Sequence, residues 1–420
     1  MSNLIFTFIK AKSYFASIYL KMNKQFRSPK SSFLCFLCVA LFLVPILSTA
    51  QSSEPIKSEL GKIVTLYSDI LKEDRKVMIY TPKDSINTGK AYPVLYVLDA
   101  DNHFAQMVEY SKYLSRADVG VCPALIVVGL KNTDRVRDLT PTYWNFNPET
   151  PLIKSGGNDQ LFKFFEKELM PYVNSHYKTQ PYRIFAGHSL GGITTLNCLI
   201  NYPDLFNAYV AVSPSLDWDN KYILKLADKK LKVGSTLSKT VFFSDGNEGA
   251  VWNPTFHTNV LELDTLLKER NIKGLNFKYT YFPVENHMTA TIKSYYDALR
   301  FIFSDWEFVP VNNDDVNAER IMKHYNSLSQ KFGYTILPDE TQFNEGIEWF
   351  IKTPATQNQA IGLLEMNTIN YPTSSKAFAA LAAAYLKRGE KKKAIAAYWK
   401  AGELNPASDE VKLKLRELKK

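Results

Sequence analysis

The stretch Gly187-His188-Ser189-Leu190-Gly191-Gly192 has residue types and spacing that could do nucleophilic chemistry. It follows the apolar run Tyr182–Ala186 and precedes the helical stretch Leu190–Tyr202, the strand–turn–helix setting that a nucleophile elbow requires. The glycines let the backbone turn sharply without side-chain collision, so the Ser189 hydroxyl should stand above the carboxyl edge of a sheet. The Leu190 N–H then points at a substrate oxygen from a helix N-terminus, as an oxyanion donor must.

A serine hydroxyl is a poor nucleophile until a base takes its proton. Six histidines are available: His103, His176, His188, His257, His287 and His324. His287 lies in the loop Pro283-Val-Glu-Asn-His-Met, after the last strand-like run and before a helical one. A chain order of serine, acid, histidine places the base there. His188 belongs to the elbow and is expected to pack beneath the nucleophile. The acid that orients the base should follow the strand Val241–Phe243. Ser244-Asp245-Gly246-Asn247-Glu248-Gly249 offers two. Glu248 is placed first because it lies past the turn, where it can reach the histidine loop. Asp245 ends the strand, where a carboxylate often bonds its own turn. Glu285 is a third option. A second oxyanion donor is expected from the loop in Tyr96-Val-Leu-Asp-Ala-Asp-Asn-His-Phe104, through backbone N–H groups near Ala100 and Asp101. Tyr143, Trp144, Trp218 and Trp252 lie in loops that could build an aromatic wall for the substrate.

These residues need a scaffold, and the hydrophobic pattern supplies one. Ile63–Ile70 and Lys76–Thr81 read as an antiparallel pair. Short wholly apolar runs follow at Val94–Leu98, Ala124–Val128, Tyr182–Ala186, Ala208–Val212 and Val241–Phe243; they suit strands buried on both faces of a mostly parallel sheet. Helical stretches lie between them, at Asp159–Tyr177, Leu190–Tyr202 and Thr258–Arg270. A last strand, Leu275–Phe282, precedes a helix from about Thr289 to Phe303. The fold class is α/β, an open sheet flanked by helices.

Composition bounds the rest. The chain has 420 residues, 45% hydrophobic, enough for one large core and a smaller one. Its formal charge of +9 does not mark a nucleic-acid partner, because the excess sits at the two ends. Residues 1–50 carry six basic side chains and no acid, and the last 46 residues carry twelve basic against five acidic; the central body is slightly acidic. Met22–Lys30 forms a positive n-region, Phe33–Leu47 an apolar stretch, and Ser48-Thr49-Ala50 a small-residue cleavage site. Residues 1–50 are therefore expected to be a signal peptide, with Met22 as an alternative start, and the remainder periplasmic or secreted. Cys122 and Cys198 are expected to be core thiols. No metal-ligand spacing occurs, and the chemistry implies no cofactor.

At these motifs the chain resembles the esterase family of α/β hydrolases that includes siderophore esterases, feruloyl and acetylxylan esterases and S-formylglutathione hydrolases. The resemblance covers roughly residues 60–305. Besides the elbow it rests on Pro93-Val-Leu-Tyr-Val-Leu-Asp99, on Val128-Gly-Leu-Lys-Asn-Thr-Asp-Arg-Val-Arg-Asp-Leu-Thr-Pro141 and on Ser213-Pro-Ser-Leu-Asp-Trp218. It implies an α/β-hydrolase fold and a triad of Ser189, His287 and Glu248 or Asp245. Where the siderophore-esterase-like subgroup often carries glycine, this chain has Ala100. Arg135 and Arg137 are candidates to meet an acidic substrate at the mouth, or else to tie down a long loop; Trp218 is a candidate substrate contact. The carboxyl end resembles a tetratricopeptide repeat, with Phe378, Leu381, Ala382, Tyr385, Gly389, Ala394, Tyr398, Ala401 and Pro406 at that spacing and a worn copy through Ala360, Leu364 and Pro372. One and a half repeats cannot bury their faces alone. The region should pack on the hydrolase body or mediate contact with a protein partner or a second subunit.

The expected organisation is a catalytic domain over 51–306, a linker and helix over 307–340, and a helical region over 341–420. The expected activity is hydrolysis of a small-molecule carboxylic ester through an acyl-enzyme on Ser189, of siderophore or carbohydrate-linked type. Alternatives are an acyltransferase on the same fold, which shares the triad, and a catalytically silent binding protein working through its repeat. A serine peptidase would need a gating domain for which this chain has no room.

Overall fold

Between residues 62 and 302, strands and helices alternate as the apolar runs require. The computed structural model describes residues 60–83, 90–144, 154–249, 254–340, 347 and 356–418. The expected signal peptide and Trp252 lie outside them. An antiparallel pair, β1 (Lys62–Ser68) and β2 (Glu73–Tyr80), turns at Lys72, whose φ is 56°. There follow β3 (Tyr92–Val97), α1 (Ala100–Leu114), β4 (Ile126–Leu130), α2 (Arg135–Asp138), α3 (Asn158–Phe164), α4 (Met170–His176), β5 (Thr179–His188), α5 (Leu190–Asn201), β6 (Ala208–Val212), α6 (Trp218–Lys230), β7 (Thr236–Gly246), α7 (Phe256–Arg270), β8 (Lys273–Phe282) and α8 (Ala290–Ile302). The sheet runs β1-β2-β4-β3-β5-β6-β7-β8, parallel from β4 onward.

The central strands are apolar throughout because both faces are covered. Along β3, Val94 and Tyr96 enter one core with α3–α7, while Leu95 and Val97 enter the other with α1 and α8. The helix expected over Asp159–Tyr177 is present but carries a π turn at Phe165–Leu169. Pro171, one residue into α4, has no N–H to give to a regular ladder. The passage after β3, expected as a loop, is helix from Ala100 onward. Asp99 takes a left-handed conformation (φ 51°), which ends the strand and starts α1 in a single residue.

Beyond residue 306 lies α9 (Ala318–Phe332). Leu328, Phe332 and Ile336 belong to the hydrolase core, with the Phe332 ring 4.9 Å from Tyr182 and 5.2 Å from Phe303. The polar stretch before the helix suggested a linker, but the apolar face of α9 is buried against the body. Its other face, with Ile321, Met322 and Tyr325, packs on α10 (Gln357–Asn370) and α11 (Ser375–Lys387). α12 (Lys391–Leu404) and α13 (Asp409–Leu418) close a further small core around Ala382, Tyr398 and Ala401. The helical end thus packs on the hydrolase body through α9. Among the described residues no helix is long and apolar enough to cross a membrane.

Candidate active site

The chain turns from β5 into α5 at Ser189 with φ 60° and ψ −115°. Holding a non-glycine residue there costs on the order of 1–3 kcal/mol and persists only because the surroundings impose it. Those surroundings are visible. A Cβ on residue 187 would lie 2.2 Å from the Gly191 carbonyl oxygen, and one on residue 192 would lie 2.9 Å from Pro214 Cα, so both positions require glycine. Position 191 has ordinary room. The Ser189 N–H donates to the Val212 carbonyl at 2.9 Å, anchoring the elbow to β6. The Ser189 and Ser215 hydroxyls are 3.2 Å apart.

His287 enters from the loop after β8. Its Nδ1–H donates to Glu248 Oε2 at 2.5 Å, which leaves Nε2 unprotonated in the neutral ring. The Glu248 side chain is only 5% exposed. Its other oxygen accepts from the Ser213 hydroxyl at 2.7 Å and the Gly246 N–H at 3.3 Å. The two loops are locked together where the Asn247 N–H donates to the Glu285 carbonyl at 2.6 Å. The Glu285 carboxylate itself turns away to Lys293. Beneath the base, His188 Nε2–H donates to the His287 carbonyl at 2.9 Å. Burial, reinforced by neighbouring His287 and His103, pushes the His188 pKa down to about 3. It stays a neutral donor under the histidine loop, its ring between His287 at 4.5 Å and His103 at 5.4 Å.

Asp245 sits elsewhere. It is fully buried, accepts from His257 Nδ1 at 2.7 Å and from the Tyr279 hydroxyl at 2.7 Å, and does not reach His287. Burial raises its pKa despite both hydrogen bonds. Of the two acids that the sequence offered, the structure brings Glu248 to the base.

Ser189, Leu190, Glu248 and His287 line one cavity of about 480 Å³ with Trp144, Ser215, Asp217, Trp218 and Phe256. Trp218 lines it, 6% exposed, with its indole N–H on Thr142 at 3.2 Å and its ring edge-on to Trp144 at 5.1 Å. Phe256 meets the His287 ring edge-on at 5.7 Å. Tyr143 is 69% exposed and is not among the lining residues.

Ala100 and Asp101 form the first turn of α1, where Ala100 is buried and the Asp101 side chain pairs with Lys131; neither is among the residues that line the cavity. Arg135 does not present a free charge to the mouth. It holds the buried Asp99 carboxylate through both oxygens, at 2.7 and 2.9 Å, alongside Asn132 at 2.6 Å. Arg137 belongs to a buried ion network with Glu73, Asp138 and Arg75, whose side chain is 1% exposed. A buried carboxylate demands a donor, and the nearest arginines are consumed by that demand. The sequence reading missed Ser213, Ser215, Asp217 and Phe256 as site residues. The first three lie inside Ser213–Trp218, so the signal was present as a motif without assigned roles.

Cys122 and Cys198 are buried, free thiols, and burial pushes the Cys122 pKa up to about 12. Among the described residues, no group of three metal-ligating side chains converges.

A parallel α/β sheet carrying a strained serine at a strand-to-helix turn, with a late histidine in the same cavity, defines an α/β hydrolase of the serine-hydrolase fold. The chain belongs to the family described as "Putative esterase", whose sequence model matches residues 68–287. It is 32% identical over 247 residues to the ferri-bacillibactin esterase BesA of Bacillus subtilis, covering 54% of this chain and 85% of that one. An IroE-like serine hydrolase from Shewanella oneidensis is 27% identical, with a TM-score of 0.65 over 73% of this chain and 98% of its own. An uncharacterised protein from Capnocytophaga ochracea, 18% identical, shares the fold over 85% of this chain and 99% of its own, with a TM-score of 0.57. The protein is a carboxylic-ester hydrolase.

Proposed function

We propose that the protein is an exported serine esterase that cleaves small-molecule esters through an acyl-enzyme on Ser189. The observation that carries this reading is the pairing of His287 with Glu248 in the cavity that holds the strained Ser189. The Ser189 hydroxyl exchanges Ser215 for His287 Nε2, which takes its proton as the oxygen attacks the ester carbonyl. Such hydrogen bonds tighten when substrate is bound. Glu248 holds the ring in the required tautomer and stabilises the imidazolium. The Leu190 N–H, at the start of α5, faces the oxyanion. His287 then gives its proton to the departing alcohol, and water releases the acid by the same steps in reverse.

Relatives named as siderophore esterases, from Aspergillus fumigatus and Emericella nidulans, put siderophore esters first among natural substrates. Carbohydrate-linked aromatic esters come next, because Trp144 and Trp218 offer an aromatic wall.

Hydrolysis of short-chain p-nitrophenyl esters by the chain from Gln51 onward is the direct test. Ser189→Ala should lower kcat on the order of 10⁶-fold. A fluorophosphonate should add one phosphonyl mass to the parent and none to Ser189→Ala. Undiminished turnover in Ser189→Ala overturns the mechanism. Export is tested by expressing the full chain and sequencing the N-terminus of the processed protein, with Gln51 expected first.

A further inference from the structure

We infer that Ser215 is a further catalytic residue, whose hydroxyl donates to the Ser189 oxygen as that oxygen leaves the acyl group. The inference rests on the acyl-enzyme reading given above and adds a residue to its second half.

The turn that carries Ser215 is fastened to the elbow through its backbone. β6 ends at Val212, whose carbonyl accepts from the Ser189 N–H at 2.9 Å. Ser213 then takes a left-handed conformation (φ 40°), and its N–H donates to the Ser244 carbonyl at 2.7 Å. Pro214 lies so close to Gly192 that no Cβ fits between them. The Ser215 N–H donates to the Ser189 carbonyl at 3.2 Å, and the Ser215 carbonyl accepts from the Trp218 N–H at 3.1 Å. None of these contacts uses the Ser215 side chain. Its hydroxyl lies instead in the cavity, 3.2 Å from the Ser189 hydroxyl. Among the described residues it has no other hydrogen-bond partner, so no second acceptor competes there for its proton.

The state of the Ser189 oxygen decides which way that bond runs. In the free enzyme both groups are hydroxyls, and either can donate. During acylation the Ser189 proton passes to His287 Nε2 while Oγ bonds the acyl carbon, and the proton then leaves with the alcohol. Ser189 Oγ is now an ester oxygen without a proton, so Ser215 can only donate to it. In deacylation water gives one proton to His287 Nε2 as its oxygen bonds the acyl carbon. The bond from that carbon to Oγ then breaks, its electron pair stays on Oγ, and Oγ recovers the proton from His287. The Ser215 proton is shared throughout and never transferred.

Only an interaction that is stronger in the transition state than in the ground state raises a rate. An ester oxygen of this kind accepts poorly, because its lone pair is drawn into the carbonyl. The same oxygen accepts strongly as it departs with charge. The gain in acylation is smaller, because the resting hydroxyl already accepts well. Ser215 should therefore speed deacylation and matter little to acylation.

The test uses p-nitrophenyl trimethylacetate, whose bulky acyl group hinders attack by water and lets acyl-enzyme accumulate. Release of p-nitrophenol reads acylation, and loss of the trimethylacetyl mass from rapidly desalted protein reads deacylation. In Ser215→Ala the acyl group should be lost about tenfold more slowly, with acylation within about threefold of the parent. At steady state on this ester, kcat and KM should fall together and leave kcat/KM unchanged, a split that damaged packing does not produce. Ser215→Thr keeps the hydroxyl and should lose the acyl group near the parent's rate. Acyl loss from Ser215→Ala as fast as from the parent, equal slowing of both steps, or the same slowing in Ser215→Thr overturns the inference. An acyl mass that forms on Ser189→Ala as well, or on no form of the protein, counts against the acyl-enzyme reading, and the inference falls with it.

Discussion

Two histidine–carboxylate pairs hang from the end of β7, their acids three residues apart, and they are placed for different work. Glu248 and His287 open onto a cavity that also holds Ser189. Asp245 and His257 meet at 2.7 Å, but their surroundings are Tyr279, which donates to the same carboxylate, and the Tyr281 ring 4.3 Å from the imidazole. The pairing chemistry is the same, so it does not distinguish catalysis from architecture. What distinguishes them is the third partner. One pair faces a hydroxyl held in strain, and the other pins α7 to the sheet. Because Asp245 and His257 bracket residues 246–256, the second pair holds both ends of the segment that carries Glu248 and Phe256.

The largest expected effect lies in the acids themselves. Glu248→Gln should lower kcat on short esters about 10⁴-fold by releasing the tautomer of His287, whereas Asp245→Asn should stay within about tenfold of the parent. Equal losses in steady-state assays of the two variants would break the contrast.

A second effect concerns pH. His188 has a folded pKa depressed to about 3 against an ordinary value near 6.5. An unfolded chain binds that proton as pH falls below 6.5, and the folded chain does not until about 3. The stability from a neutral His188 is therefore present above about pH 6.5 and lost as pH falls toward 3, by on the order of 3–5 kcal/mol. Urea midpoints at pH 7, 5 and 4 should show this slope, and His188→Phe should flatten it. An unchanged slope in that variant would show that other groups carry the acid sensitivity.

The architectural pair should answer to stability measurements. Asp245→Ala leaves His257 and Tyr279 without their acceptor and should cost about 2–4 kcal/mol in urea unfolding. A smaller loss, about 1 kcal/mol, is expected for Tyr279→Phe, which removes one neutral donor. If either variant unfolds like the parent while its esterase rate collapses, the second pair belongs to the chemistry after all.

Much of the scaffold was legible in the residues. The wholly apolar runs Val94–Leu98 and Ala208–Val212 fall on β3 and β6, because a strand buried on both faces has no polar position to show. The start of α1 was not legible. Asp99-Ala-Asp-Asn-His reads as polar loop, and only the left-handed turn at Asp99, held by Arg135 and Asn132, begins a helix there. The role of α9 was hidden for a similar reason. A polar stretch before it suggested a linker, while the face formed by Leu328 and Phe332 found its partners Tyr182 and Phe303 more than a hundred and some thirty residues away in the chain.

The same division holds at the site. The sequence alone determined the elbow, because its glycines, its serine and its flanking strand and helix are neighbours in the chain and their sterics are local. It also placed the base after the last strand. Which carboxylate meets His287, which arginines are free, and which walls enclose the ester were decided only by tertiary structure. Those choices join residues tens to hundreds of positions apart. Competition settles them: a buried Asp245 draws His257 and Tyr279, a buried Asp99 draws Arg135, and Glu248 is left for His287.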